Sequence, residues 1–306
     1  MPAKKILLFI ASEKGYTALT QVLLGRYQSR VGCVVTFPEV DVEKSWDIDI
    51  SAICEKMAVP CFMWQSVKSK IIDIIQEYHI TGAVALSWKY LLPLTINDFM
   101  EDQLIVFHDS LLPKYRGFAP TPTAIMCGET RVGVTALYAT DQVDQGDILL
   151  QTELQISDQM YIADIIKAEA DIYGSMLETM IEKMESGTLK GSPQNEEDAT
   201  YSIWRNVNDC HIDWGKSAKE IYNFIRAVGS PYPGAFCFYE QEKIKIVRAE
   251  VMPKDMIFSV RDAGKIWSIR DNVPEVICGV GMLKILSAVD EGGHAVSFNR
   301  VRCRLE

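Results

Sequence analysis

His108 and Asp144 are the two side chains whose types and settings suit acid–base chemistry. His108 closes the apolar run Gln103–His108 and begins His108-Asp109-Ser110-Leu111-Leu112-Pro113-Lys114-Tyr115-Arg116-Gly117, a loop dense in Pro and Gly that runs on through Pro120-Thr121-Pro122. Asp144 stands between Val143 and Gln145-Gly146 in a second loop, after Gly133-Val134-Thr135. A histidine at the C-terminal end of a strand lies on the edge where α/β sheets hold their ligands. A carboxylate beside it orients the ring, favours its protonated form and accepts a proton in turn. Residue type and spacing alone leave the alternative open that His108 is a hydrogen-bonded structural histidine.

Two such loops need a rigid scaffold, and the flanking sequence has the rhythm of one. Lys5–Ala11 reads as a buried strand, Tyr16–Leu24 as a helix, Gly32–Phe37 as a strand, Ser66–Tyr78 as a helix and Gly82–Leu86 as a strand. This alternation predicts an α/β fold, a mostly parallel Rossmann-like sheet covered by helices. No G-x-G-x-x-G follows the first strand, so a nicotinamide or flavin dinucleotide is not expected. Ala124–Cys127 reads as a short helix, and Val132–Tyr138 and Asp147–Glu153 as a strand pair. Residues 160–186 read as one long helix with Ile162, Ile165, Ile166, Met176, Leu177, Met180 and Ile181 on a core-packing stripe.

Ser186–Thr200 is polar and reads as a linker; Ser217–Val228 reads as a helix capped by Asp213 or Ser217. Ala235–Tyr239, Lys243–Glu250, Lys265–Ile269, Val276–Cys278, Met282–Ser287 and Val296–Arg304 read as short strands of a smaller, mainly β, OB-like domain. The expected boundaries are 1–190 for the α/β domain, 191–234 for a linker and connecting helix, and 235–306 for the β domain.

Charge narrows the partners. Residues 201–306 hold 15 Lys+Arg and 13 Asp+Glu, leaving 16 basic and 28 acidic residues of the whole chain's 31 and 41. So acidic a body disfavours a long nucleic-acid footprint, which needs clustered Lys and Arg. No apolar run is long enough to span a bilayer, and the basic start Met1-Pro2-Ala3-Lys4-Lys5 leads into a strand rather than a signal peptide. The cysteines at 33, 54, 61, 127, 210, 237, 278 and 303 form no C-x-x-C pair. Free thiols in the cytoplasm and no metal site are the expectation.

Ser110-Leu111-Leu112-Pro113, Tyr115-Arg116-Gly117 and Val143-Asp144-Gln145-Gly146-Asp147-Ile148 resemble the signature of the folate-dependent formyltransferase family. That family includes methionyl-tRNA formyltransferase, glycinamide ribonucleotide transformylase and the amino-sugar N-formyltransferases. The likeness extends through Gly128-Glu129, Ala199-Thr200-Tyr201, Ile212-Asp213-Trp214, Ile225-Arg226-Ala227 and Pro231-Tyr232-Pro233-Gly234-Ala235-Phe236, nearly the whole chain. The resemblance implies transfer of a formyl group from 10-formyltetrahydrofolate to an amine, with His108 and Asp144 catalytic. It also implies a pteridine lying against Tyr90 and Leu91 and the loop of Thr140, Asp141 and Val143. The side chains of Trp88 and Tyr90 read equally as core or rim packing.

One departure stands out. The family's signature has Asn two residues before the histidine, and this chain has Val106. Val106 and His108 share a strand face, and valine donates no hydrogen bond. Loss of one oxyanion donor costs about 10²–10³ in rate unless Ser110, Asp109, a backbone N–H or water takes over. Asp109 reads as a loop-capping carboxylate. With little positive charge for tRNA, a nucleotide-linked amino sugar is the expected acceptor, its diphosphate met by Arg205 and Arg226; these two read equally as salt-bridge residues, and Arg116 as structural. The alternatives are methionyl-tRNA as acceptor and a catalytically silent folate or sugar-nucleotide binding protein. The sequence leaves the oligomeric state open, a homodimer included.

Overall fold

A computed structural model describes residues 4–37 and 48–306. The first three residues of the basic start lie outside the described residues. Two units are distinguishable. The first runs to Pro120 and takes in Arg131–Ile156 and Asp164–Ile203, and the second comprises Thr121–Thr130, Ser157–Ala163 and Trp204–Glu306.

Continuous apolar runs become inner strands of the first unit because both of their faces are covered. In chain order the elements are β1 (Ile6–Ile10), α1 (Ser12–Leu24), β2 (Val31–Thr36), α2 (Ile50–Lys56), β3 (Cys61–Met63), α3 (Trp64–Val67), α4 (Ile71–Glu77), β4 (Gly82–Leu86) and β5 (Ile105–His108). There follow β6 (Arg116–Gly117), β7 (Arg131–Tyr138), β8 (Ile148–Gln155), α6 (Ile162–Ser186) and β9 (Tyr201–Ser202), while α5 (Pro120–Met126), between β6 and β7 in the chain, belongs from Thr121 on to the second unit. The seven-stranded sheet has the order β3-β2-β1-β4-β5-β7-β8. Pairing is parallel from β3 to β5 and antiparallel from β5 to β8.

Alternation along β1 divides the core. Ile6, Leu8 and Ile10 face Leu19, Val22, Leu177 and Met180 of α1 and α6, while Leu7 and Phe9 face Trp64, Ile71 and Ile75 on the other side. The single helix expected over Ser66–Tyr78 is two helices. Lys68-Ser69-Lys70 forms a turn between them, closed by Lys70 N–H donating to Val67 O at 2.8 Å, so that Val67 and Ile71 both stay buried.

In the second unit, α7 (Ala218–Val228) starts at a capping box: Ser217 Oγ accepts from Glu220 N–H, and Glu220 Oε2 accepts from Ser217 N–H. Asp213, the other expected cap, accepts from Gly215 N–H instead. The strands β10 (Phe236–Tyr239), β11 (Glu242–Val251), β12 (Ile266–Arg270), β13 (Val273–Ile277) and β14 (Met282–Asp290) form an antiparallel sheet in the order β10-β11-β14-β13-β12. Val296–Arg304 is not the strand expected. The C-terminal tail makes isolated bridges to both edges instead, Arg304 to Lys265 beside β12 and Leu305 to Tyr239 of β10. Among the described residues no helix is long and apolar enough to cross a membrane.

Candidate active site

His108 is the last residue of β5, paired with Thr135 across β7 and 8% exposed. The loop that follows is tied to the sheet. Thr135 Oγ1 donates to Ser110 O (2.6 Å), Gln151 Nε2 donates to Leu112 O (3.0 Å), and Ser110 Oγ donates to Lys114 O (2.6 Å). Arg116 and Gly117 then pair as β6 with Tyr201 and Ser202 of β9. At Gly117 (φ +98°) a Cβ would sit 2.7 Å from Ser202 O, so glycine is what lets the two chains meet.

Asp144 reaches His108 from the loop between β7 and β8. Its carboxylate Oδ2 accepts Gly117 N–H at 2.8 Å and stands 3.4 Å from His108 Nδ1. His108 Nε2–H donates to Tyr115 O at 2.8 Å. Both ring nitrogens therefore face acceptors. Neither contact to Asp144 uses Oδ1.

Behind this pair lies a brace that pattern reading missed. Gln194 Nε2 donates to the main-chain carbonyls of Asp144 and Gly146, each at 2.8 Å, while Gln194 Oε1 accepts from Arg116 Nη2 at 2.8 Å. Arg116 is fully buried and completes a double contact with Glu196 at 2.7 and 2.8 Å. The Glu196 carboxylate holds the guanidinium above its ordinary pKa. The segment read as the start of a linker, residues 191–203, thus forms the wall that holds the Asp144 loop. Arg116 is structural, as expected.

The remaining expected residues sort by place. Trp88 joins an edge-to-face aromatic cluster with Phe9, Phe37, Trp64 and Tyr90, the core reading of its side chain. Tyr90 is partly exposed and Leu91 almost wholly so, after β4 and beside β5 in the sheet. Thr140 Oγ1 donates to Gln142 O within the Asp144 loop, where Asp141 and Val143 are exposed. Arg205 and Arg226 belong to the second unit. Arg205 Nη1 donates to Thr123 Oγ1 at 3.2 Å. Arg226 is buried, its Nη groups donating to Ser157 O, Met160 O and Asn223 Oδ1, so it anchors that unit's own chain. Asp109 is more than a loop cap: its carboxylate is held by Lys14 and Tyr173.

A formyl transferase profile matches residues 25–180, and a second, formyl transferase, C-terminal domain, matches residues 206–303. The chain belongs to the formyltransferase family. It is similar to methionyl-tRNA formyltransferase of Acetivibrio thermocellus, at 29% identity over 285 residues covering 92% of this chain and 91% of the relative. It also resembles the solved N-formyltransferase of Helicobacter canadensis in complex with folinic acid and dTDP-3-aminofucose, with TM-score 0.71 and 17% identity over 92% of this chain and 98% of that one. The solved methionyl-tRNA formyltransferase of Clostridium thermocellum gives TM-score 0.59 and 18% identity over 83% of this chain and 96% of that one.

Two expectations for this formyltransferase follow from the packing. At Gly146 a Cβ would stand 1.8 Å from Tyr138 O, so the Asp144 loop must move to admit one. Gly146→Ala should destabilise the fold by about 1–3 kcal/mol and depress activity further than that loss explains. Urea melts with rates measured below the transition check it, and an unchanged midpoint with normal activity refutes the packing argument. Val106, half-buried, packs with the cluster that holds Trp88, Leu92, Leu94 and Ala139. Val106→Asn should therefore leave the single-turnover rate unchanged or lower it, because the new amide must find partners there or lose about 1–3 kcal/mol. A large rate gain would instead mark position 106 as a vacant oxyanion donor.

Proposed function

We propose that this formyltransferase moves a formyl group from 10-formyltetrahydrofolate to the amine of a nucleotide-linked amino sugar in the cytoplasm. The observation that carries the reading is the closer match in fold to the Helicobacter canadensis N-formyltransferase (TM-score 0.71) than to the solved methionyl-tRNA formyltransferase (0.59). The acidic body of the chain supports a small acceptor over tRNA. The exposed apolar side chains Leu91 and Val143, with Tyr90, suit the flat ring of a reduced folate.

The donor supplies the activated formyl group: the acceptor amine bonds to the formyl carbon, the bond from that carbon to N10 breaks, and tetrahydrofolate leaves with a proton on N10. Asp144 takes the proton of the attacking amine through Oδ1, its Oδ2 being engaged by Gly117 and His108. His108 lies at the reacting centre with Nε2–H on Tyr115 O and Nδ1 facing Asp144, so its N–H answers negative charge on the formyl oxygen only by leaving one of those acceptors. Val106 contributes shape to that wall and no hydrogen bond.

A second reading, methionyl-tRNA as acceptor, is favoured by the 29% identity to the Acetivibrio thermocellus enzyme. Mass gain on a panel of nucleotide-linked amino sugars, run beside methionyl-tRNA with the same donor, separates the two. Formylation of a sugar and not of tRNA is the expected result. The reverse overturns the proposal, and formylation of neither leaves a binding protein as the surviving reading.

A further inference from the structure

Away from the candidate active site, the first unit brings two thiols to one side of its sheet. Of the eight cysteines, Cys33, Cys54 and Cys61 belong to this unit. Strand alternation decides which of them share a side. Along β2, Val34 packs on the side of α1 and α6, whereas Cys33 and Val35 pack on the other. Cys61, in the edge strand β3, pairs with Val34 and packs on the α1 and α6 side, where Cys54 of α2 is wholly buried. The turn after α2 folds the chain back to allow this. Ala58 has φ +55°, and Val59 N–H donates to Cys54 O at 2.9 Å. Ser51 stands one turn before Cys54 on α2, and its Oγ lies 3.9 Å from Cys61 Sγ. The face of α2 that carries Cys54 is therefore the face that meets Cys61.

We propose that Cys54 and Cys61 form an oxidation site, at which hydrogen peroxide converts the two thiols to a disulfide. Cys61 is the attacking sulfur, because it is partly exposed and Cys54 is buried. The Cys61 thiolate attacks one peroxide oxygen, the O–O bond breaks, hydroxide leaves, and Cys61 becomes a sulfenic acid. The Cys54 sulfur then attacks the Cys61 sulfur. The S–O bond breaks, and the Cys54 proton leaves with that oxygen as water. Two electrons pass from the sulfurs to the peroxide, and a small dithiol reverses the step by exchange. Neither thiol has a part in the formyl transfer proposed above, so the site stands apart from that reading.

The surroundings set the two sulfurs apart. The Cys54 thiol, donating to Cys61, brings it down to about 7 against the cost of burial, and the Ser51 hydroxyl and Phe62 N–H add to that pull. The same hydrogen bond, with burial, pushes Cys54 up, so it stays a thiol. Asp49, the cap of α2, opposes the Cys61 thiolate. Cys33 of β2 is pushed up to about 12, by burial first and then by Cys61, and stays neutral. At neutral pH Cys61 is thus about half thiolate, where an ordinary thiol is about 3%.

The test exposes the full chain to excess hydrogen peroxide at neutral pH and maps its peptides by mass without reduction. The Cys54 and Cys61 peptides should be joined with the loss of two hydrogen atoms, and dithiothreitol should part them. The other six cysteines should still alkylate after unfolding. Before oxidation, iodoacetamide should capture Cys61 about tenfold faster than the exposed Cys127, which serves as the internal reference. Cys61→Ser should leave Cys54 reduced under the same exposure. Cys54→Ala removes both the hydrogen-bond donor and the second sulfur. Its Cys61 should stop at a sulfenic acid that dimedone traps, and the pH midpoint of capture should rise by about one unit. Should that variant not fold, the wild-type map and Cys61→Ser decide alone. A bridge from Cys61 to Cys33 or to a second copy overturns the proposal. So does a wild-type oxidation that stops at Cys61, or a pair still reduced after the exposure.

Discussion

His108→Ala is expected to abolish formyl transfer, by about 10³-fold or more in kcat, while the protein still folds. The structure says why the two effects separate. Removing the ring takes a donor from Tyr115 O, but Ser202 Oγ also donates to that carbonyl, at 3.2 Å. It takes a neighbour from Asp144, but Gly117 N–H still donates to Oδ2 at 2.8 Å. No buried acceptor is stranded, so the stability loss should be about 1–3 kcal/mol, the range for deleting part of a packed side chain. The rate loss has no such compensation, because Val106 cannot donate and Asp144 only accepts. Thermal melts and single-turnover assays on the same preparation are the check. A rate within a few-fold of wild type, with melting unchanged, removes His108 from the chemistry.

Much of this arrangement was legible in the chain, and the reasons differ by segment. The run Gly82–Leu86 is apolar at every position and lies in the middle of the sheet, so the strand and its bounds both follow from composition. The His108 and Asp144 loops were legible because their glycines, prolines and chemistry-bearing residues cluster locally. Gln194 was not legible. It lies in a polar stretch without periodicity, and its role comes from contacts 48, 50 and 78 residues away. The tail Val296–Arg304 reads as a strand, but two separate edges compete for the chain end, Arg304 bridging to Lys265 and Leu305 to Tyr239. Glu169 is the instructive case. Positions 162, 165, 166, 169, 173, 176, 177 and 180 form one helical stripe, and a glutamate within it is a charge at a core position. That conflict between pattern and residue type was the available sign of the buried ion pair that Glu169 makes with Lys14.

Asp144→Asn should cut kcat by about 10²–10³, the range for removing a proton acceptor from a transition state. Asparagine is the informative replacement because of the backbone. Asp144 has φ +55°, a left-handed conformation that Asn and Asp adopt far more readily than other side chains. Alanine there would mix backbone strain with lost chemistry, whereas asparagine keeps the loop. Its side-chain oxygen can still accept Gly117 N–H, and the two carbonyl contacts from Gln194 do not depend on the side chain. What changes is the charge beside His108 Nδ1 and the capacity to take the amine's proton, since an amide nitrogen can only donate. The melting transition should therefore move little while the rate falls steeply. Donor KM should hold near wild type if Asp144 acts on the proton rather than on binding. A normal turnover number with an unaltered pH profile would assign Asp144 to the loop brace of Gln194 and Arg116 instead. In that case the proton acceptor must be sought in a bound water, and His108 would stand as the only side chain of the pair that takes part in the chemistry.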